Sequence, residues 1–101
     1  MSLLSNHHRK KLLAQPFPSD WESVLEADFG LWSRLEPDQR SRLRDCIRII
    51  IDEKYWEGCN GVELDDRIRV LIAAMAGVLL LDHDHGYYRN VRSILVYPEA
   101  Y

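Results

Sequence analysis

The sequence predicts an α+β fold that is mostly helical, with three to four helices around a central apolar helix, a short hairpin or extended segment, and a C-terminal strand. Three observations predict this class: apolar residues at helical spacing after Pro37, an unbroken apolar run from Val70 to Leu81, and a segment rich in β-formers, Ser93 to Pro98. At 101 residues, 47% of them apolar, the chain is long enough for one core. We therefore expect a single domain over residues 1–101.

Two helices are predicted before Pro37. The first is short and basic, runs from Leu3 to Gln15, and is ended by Pro16-Phe-Pro18. The second begins at Ser19-Asp-Trp-Glu22, which has the S-x-x-E pattern of a capping box. We expect the Ser19 hydroxyl to accept from the backbone N–H of Glu22, whose carboxylate reaches back to the Ser19 N–H. Gly30 ends this helix.

The helix that starts at Pro37 has the clearest pattern in the chain. Proline suits the first helical position because its missing N–H has no partner there. The pattern continues to about Lys54 and predicts one buried face. The apolar residues of this face are Leu43, Cys46, Ile47, Ile50 and Ile51.

Arg40, Arg44 and Arg48 lie on one strip of the same helix, and the strip has two interpretations. It resembles a phosphate-binding strip, but it also suits an ordinary solvated face, which we favour. Acidic residues four positions away can compensate charge within the helix. They form the pairs Asp38 with Arg42 and Asp52 with Arg48.

The next segment, Lys54 to Leu64, has aromatics typical of extended chain, and its Asn60-Gly61 pair favours positive φ and predicts a small hairpin. Asp65 is a natural N-cap for the apolar helix that follows. Because that helix is apolar on every side, we expect it to be covered on every side, at the centre of the domain. Small residues would let neighbouring backbones approach closely, at Ala73, Ala74, Ala76 and Gly77.

The last element, a strand at residues 93–97, is stopped by Pro98. A lone strand is unstable in water, so this one needs a pairing partner. The extended segment around Trp56 or Val62 is one candidate, and strands of a longer parent protein are another.

Charge and cysteine usage narrow the function classes. A net charge of −3 gives no general attraction to nucleic acid, and three basic residues, Arg9-Lys10-Lys11, are too few for a binding tail and favour a solvated helix start. The run from Val70 to Leu81 is too short to span a membrane. Cys46 and Cys59 form no C-x-x-C pair and are expected to be free thiols. With no apolar secretory segment at the start, the sequence predicts a cytoplasmic protein.

A candidate metal site lies after the apolar helix, where Asp82, His83, Asp84 and His85 alternate before Gly86. A zinc site normally needs three or four ligands, whereas a histidine at a helix C-terminus is already favourable when protonated. We interpret His83 and His85 as loop residues. Glu57 and Glu63 flank the glycine turn, but an exposed turn commonly carries such residues. From the residues alone, no catalytic, cofactor-binding or metal residue is assigned.

A set of ordered segments carries a resemblance to a known family. These segments are Arg42-Leu-Arg44, Lys54-Tyr-Trp-Glu-Gly-Cys-Asn-Gly-Val-Glu-Leu64, Ile68-Arg-Val70, Ile72-Ala-Ala74, Tyr87-Tyr88 and Ile94-Leu-Val-Tyr-Pro98. Together with Leu12-Leu-Ala-Gln-Pro-Phe-Pro18 and Trp21, they resemble the N-terminal part of the Mlc titration factor A family of zinc-dependent peptidases. Met75 stands where a glutamine is expected, so a polar group that we expect to be buried is replaced. Asp65 stands where a threonine is usual, and it preserves capping.

The resemblance implies a zinc metallopeptidase as the parent protein. Such proteins bind zinc through the two histidines of H-E-x-x-H and a later glutamate, downstream of the segment that resembles Ile94–Pro98. This chain contains no H-E-x-x-H. No ligand or catalytic residue of the family is therefore carried over, no cofactor is expected in this chain, and zinc is implied for the parent alone.

Two functional hypotheses follow from the resemblance. In the first, the chain is the N-terminal, non-catalytic scaffold of a cytoplasmic zinc peptidase, inactive by itself and packed against the catalytic segment. In the second, it is a stand-alone interaction module that binds a protein partner such as the repressor Mlc. An independent metal-binding protein using residues 82–85 is a weaker third. Unpaired strand edges also predict a homodimer through Ser93 to Tyr97.

Overall fold

The computed structural model describes residues 3–81 and 92–98 of the chain. Four α-helices, a short 3-10 turn and two strands lie in these ranges. Their bounds are α1 Leu3–Ala14, α2 Ser19–Asp28, the 3-10 turn Trp32–Arg34, α3 Pro37–Glu53, β1 Tyr55–Gly58, α4 Asp66–Leu80 and β2 Ser93–Val96. The mostly helical α+β class predicted from the sequence is confirmed.

The start of α2 differs from the predicted capping box. The helix begins at Ser19, but the residue before it, Pro18, is the N-cap, and no side chain caps the helix. The Pro18 carbonyl accepts from the backbone N–H groups of Trp21 at 3.1 Å and Glu22 at 3.2 Å. Pro18 is extended, with φ −58° and ψ 131°, so Ser19 lies one residue inside the helix and its hydroxyl cannot cap.

The starts of α3 and α4 follow the sequence. Pro37 occupies the first turn of α3, as predicted. Gln39 adds a contact that was not predicted from the sequence. Its side-chain oxygen accepts from the Glu36 backbone N–H at 2.9 Å. In α4, Asp65 is the N-cap and accepts from the Ile68 N–H at 2.9 Å, which confirms its predicted role.

The core is formed mainly between α3 and α4, and α2 packs against α4 from the other end. Gly77 permits the closest approach of α3 and α4, because a Cβ there would lie 2.6 Å from Leu43 Cδ1 and 3.2 Å from Cys46 Cβ. Gly77 thus acts as predicted. The buried cluster comprises Leu25, Phe29, Trp32, Leu43, Cys46, Ile47, Ile50, Val70, Ala73, Ala74 and Leu80.

The sheet consists of β1 and β2 side by side and parallel, with Trp56 opposite Ile94. The Asn60-Gly61 turn forms, with φ of 54° and 87°, but the chain after it does not return as a strand through residues 62–65. The predicted hairpin is therefore wrong, and the predicted pairing near Trp56 is confirmed. Parallel strands need a crossover, and α4 supplies it.

The apolar helix α4 is not covered on every side, contrary to the prediction. Val70 and Ala73 are fully buried against the neighbouring helices, whereas the side chains of Met75 and Leu79 are 64% and 65% exposed. The expectation that position 75 is buried is wrong as well. Among the described residues, no helix combines the length and hydrophobicity that crossing a bilayer requires.

Candidate docking surface

The arginine strip, defined as Arg40, Arg44 and Arg48, turns toward the protein rather than toward solvent. Arg44 Nε and Nη2 donate to the two carboxylate oxygens of Glu22, both at 2.9 Å. Arg40 Nε donates to the Trp32 carbonyl at 2.9 Å. The predicted solvated face is therefore wrong, because the partners of the strip come from α2 and the 3-10 turn, which helical spacing does not reveal.

Aromatic and carbonyl contacts complete the arginine strip. The guanidinium carbons of Arg40 and Arg44 lie 5.5 Å and 5.0 Å from the ring centroid of Trp32, within the range of cation–π attraction. Arg48 is buried and donates to the carbonyl of Gln15, just after α1. A phosphate would have to displace these internal contacts, so the strip holds the fold together rather than forming an anion site.

The charge pairs predicted within α3 are replaced by pairs between elements. Arg42 Nη2 donates to the carbonyl of Leu81 at 2.6 Å, beyond the end of α4. Asp52 accepts from the imidazole of His8 on α1 at 2.6 Å. Long-range partners are thus preferred to the i,i+4 neighbours, because they also join separate helices.

The basic start of α1 is also used internally. Arg9 forms a bidentate pair with Glu53, with nitrogen–oxygen distances of 2.5 Å and 2.7 Å. The hydrogen bond from Arg9 lowers the pKa of the Glu53 carboxyl, outweighing the opposite effect of burial. Lys10 and Lys11 are exposed. The predicted solvated helix start therefore holds for the two lysines but not for Arg9, which fastens α1 to α3.

An apolar groove lies between α4 and β2, with a volume of about 430 Å³. One wall is formed by the exposed row of α4, and another by Ile94 of β2. Among its lining residues, Lys54 is charged and the other six are apolar; the groove is lined by Ile50, Lys54, Ile72, Met75, Ala76, Leu79 and Ile94. Burial lowers the pKa of the Lys54 ammonium, although the neighbouring Glu53 opposes this shift.

The outer face of the sheet carries further exposed hydrophobic side chains. Ile94 and Val96 are half-buried on the inner face of β2, and the alternate residues point outward. Three large side chains are therefore exposed: Tyr55 at 62%, Leu95 at 51% and Tyr97 at 54%. We call the groove residues and these three the open apolar side. Large exposed apolar side chains in such number are typical of interaction surfaces.

No metal centre is visible within residues 3–81 and 92–98, where no three His, Cys, Asp or Glu side chains are grouped closely enough to hold an ion. Glu57 and Glu63 are both exposed and belong to no such group. The stretch from Asp82 to His85 lies outside the described residues. The described residues therefore do not fit zinc.

Both cysteines are free thiols, as predicted. Cys46 is buried in the α3–α4 contact, and burial raises its pKa to about 11. Cys59 is half-buried, and its backbone N–H donates to the Val96 carbonyl at 2.7 Å, at the end of the sheet. A buried thiol with so high a pKa is a packing group rather than a nucleophile.

Comparison with known proteins places this architecture among relatives. Residues 4–101 match the sequence model of a family described as glucose-regulated metallo-peptidase M90. An uncharacterized protein of Synechocystis sp. (strain ATCC 27184 / PCC 6803 / Kazusa), slr2042, is 35% identical over 92 residues, which is 91% of this chain and 34% of that protein. The chain thus spans about a third of the length of this relative. No solved structure matches the chain.

Proposed function

The chain belongs to the glucose-regulated metallo-peptidase M90 family, and on that basis we propose that it is the N-terminal, non-catalytic scaffold of a zinc-dependent, cytoplasmic metallopeptidase. In this role it packs against the catalytic segment of the parent protein through the open apolar side. The observation that supports the role most directly is the exposure of Met75 and Leu79 on α4, whose other side is buried in the core at Val70 and Ala73.

One surface of the chain has its charged groups paired internally and another leaves large apolar side chains exposed, and this difference supports a scaffold role. Ionic and aromatic contacts already occupy the arginine strip, so that side is complete without a partner. The open apolar side leaves large hydrophobic side chains in water, at a cost of roughly 25 cal/mol per Å² of apolar surface. A protein that continues past this surface would bury it, and the length of the Synechocystis relative leaves about two-thirds of a chain to do so.

The potential metal ligands of the chain support a non-catalytic role within a larger peptidase. The sequence has no H-E-x-x-H motif, so it lacks the helical pair of histidines with its glutamate that zinc peptidases use. Zinc, when bound by the parent, would activate water and polarise a peptide carbonyl. In our proposal those ligands belong to the segment that this chain does not match, and the chain itself contributes packing.

An activity assay tests the proposal. The purified chain is incubated with a mixture of unstructured peptides, with and without added zinc, and cleavage is followed by mass spectrometry. We expect no zinc-dependent cleavage, because the water-activating ligands are not in this sequence. Zinc-dependent turnover that co-purifies with the chain would contradict the scaffold role.

A matched variant addresses the histidine stretch. In parallel, zinc binding is measured by calorimetry for the chain and for a variant with His83→Ala and His85→Ala. We expect no binding tighter than about the millimolar range in either protein, since two histidines are too few for a stable zinc site. Micromolar binding that the double substitution abolishes would instead make residues 82–85 a metal site.

A further inference from the structure

The apolar groove has the geometry of a helix-binding groove. On α4, Ile72, Met75 and Leu79 are spaced by three and four residues and form a row along one face. Ala76 lies in the same wall, and its small side chain leaves room for a ridge from a neighbouring element. Ile94 of β2 and Ile50 of α3 close the other sides of the groove.

We propose that this groove binds an amphipathic helix supplied by the part of the family's longer polypeptide that this chain does not match. The inference rests on the proposed scaffold function and specifies the element that docks. The helix would present aliphatic or methionine side chains at i, i+3 and i+4 to the row on α4, and would cover Met75 and Leu79.

The lining of the groove favours a helix over an extended segment. Six of its seven lining residues are apolar, and α4 uses its own backbone groups within the helix. The occupant therefore finds few hydrogen-bond partners for its backbone, and a buried backbone group without a partner costs about 1–3 kcal/mol. A helix satisfies those groups internally, whereas a strand would have to pair with an outer edge of the β1–β2 sheet, and α4 offers it no backbone partners.

The size of the groove favours a segment of the same polypeptide over a second copy of this chain. A stable interface between separate proteins uses about 20–30 residues on each side. The groove has seven lining residues. A tethered segment binds at an effective concentration of about millimolar, so a small contact is sufficient for it. The unmatched two-thirds of the Synechocystis relative is long enough to supply such a segment.

A binding experiment tests this inference. The probe is the portion of the Synechocystis relative outside the matched 92 residues, purified separately and titrated into the full chain by calorimetry at concentrations up to about the millimolar effective concentration of a tethered segment. We expect Met75→Glu and Leu79→Glu each to weaken binding by about tenfold or more, because each places a charge in an apolar contact. Both positions are exposed, so circular dichroism should show unchanged folding of the free variants.

Two further variants separate the possible outcomes. Leu31→Glu, at a position 45% exposed and outside the groove, is the matched control and should bind like the parent chain. If Leu95→Glu weakens binding and the groove variants do not, the scaffold function holds but the proposal that a helix binds in the groove is wrong. If the unsubstituted chain does not bind the probe, both proposals fail.

Sedimentation of the chain alone tests the competing occupant. We expect no dimer that uses the groove over the concentrations used for the titration, since seven lining residues are few for a free dimer. A micromolar dimer that Met75→Glu dissociates would assign the groove to a second copy and overturn the inference. A dimer that instead responds to Leu95→Glu would locate self-association at residues 93–97 and leave the groove for the helix.

Discussion

The arginine strip and the open apolar side lie on different surfaces of the same small chain. They differ in how far their side chains are already paired or covered by the rest of the chain. Around the strip, Glu22 and Trp32 provide charge and aromatic partners for the guanidinium groups at distances of 2.9 Å and about 5 Å. Around the groove, Met75 and Leu79 face solvent with about two-thirds of their surface. Around the strip the charged groups are paired within the chain, whereas around the groove large apolar side chains remain in water.

This difference indicates which surface is available for a partner. Arginine side chains on a helix are usually the first candidates for ligand binding, but here their contacts join α1, α2 and the 3-10 turn to α3. The hydrophobic helix that a sequence reading places at the centre is the one that extends to the surface. In this chain, exposed hydrophobic side chains are therefore a better guide to a docking site than charge.

The largest expected effect compares the same substitution in the α3–α4 core and on the open apolar side. Leu43→Ala removes a fully buried side chain from the α3–α4 contact and should lower the free energy of unfolding by about 2–5 kcal/mol. Leu79→Ala removes a side chain that is 65% exposed and should change it by less than about 0.5 kcal/mol. Urea unfolding of both variants measures the difference. Similar losses would mean that Leu79 is already covered.

The two thiols extend the comparison to reactivity. Cys46 is 7% exposed and has its pKa raised to about 11, so the native chain holds very little of its thiolate at pH 8. Because the thiolate is the reacting form, we expect iodoacetamide to modify Cys59 about a hundredfold faster than Cys46. Mass spectrometry follows the rates, and Cys46→Ala and Cys59→Ala assign each signal. Equal rates in the native chain would show that the α3–α4 contact opens freely.

The smallest expected effect concerns the ion pair beside Trp32. The hydrogen bond from Arg44 holds the pKa of the Glu22 carboxyl below its usual value of 4.5, against the effect of burial. A carboxyl with a lowered folded pKa contributes stability above its unfolded pKa and loses it as the pH falls through the folded value. Glu22→Gln should therefore cost roughly 0.5–1 kcal/mol at pH 7, since both partners are about a third exposed.

The acid range checks the cause of this effect. Unfolding curves at several pH values below 5 should show a shallower loss of stability for Glu22→Gln than for the unsubstituted chain. Glu26→Gln, on the exposed face of the same helix, is the matched control and should keep the original slope. If the two variants behave alike, the Arg44 contact does not stabilise the fold.

Local signals in the sequence predicted much of the fold. Pro37 and Asp65 mark helix starts because their effects act within one turn of the chain. The spacing of Leu43, Cys46 and Ile47 predicted the buried face of α3, since helical geometry alone puts them together. The spacing did not include Ile49, which is 1% exposed and is buried on another face of the same helix.

Apart from the start of α2, where the N-cap is Pro18 and not Ser19, the errors depend on partners distant in the chain. Arg44 meets Glu22 across 22 residues, and Arg42 meets Leu81 across 39, so no local pattern could reveal either contact. Likewise, the Asn60-Gly61 turn forms as its residues require, but its strand pairs elsewhere. The candidate docking surface was missed for the same reason. The hydrophobicity of α4 predicts that the helix is buried, but it does not show which of its residues this chain leaves exposed.

The parallel pairing of Tyr55 with Ser93 has a consequence for the order of folding. The two residues are 38 positions apart, and closing so long a loop costs chain entropy before any strand contact is gained. The helices, which need only neighbours within four residues, can form earlier and bring the strand ends together. Backbone amides of β1 and β2 should then exchange with deuterated water sooner than those in the middle of α3, and the sheet would be the last element acquired and the first released.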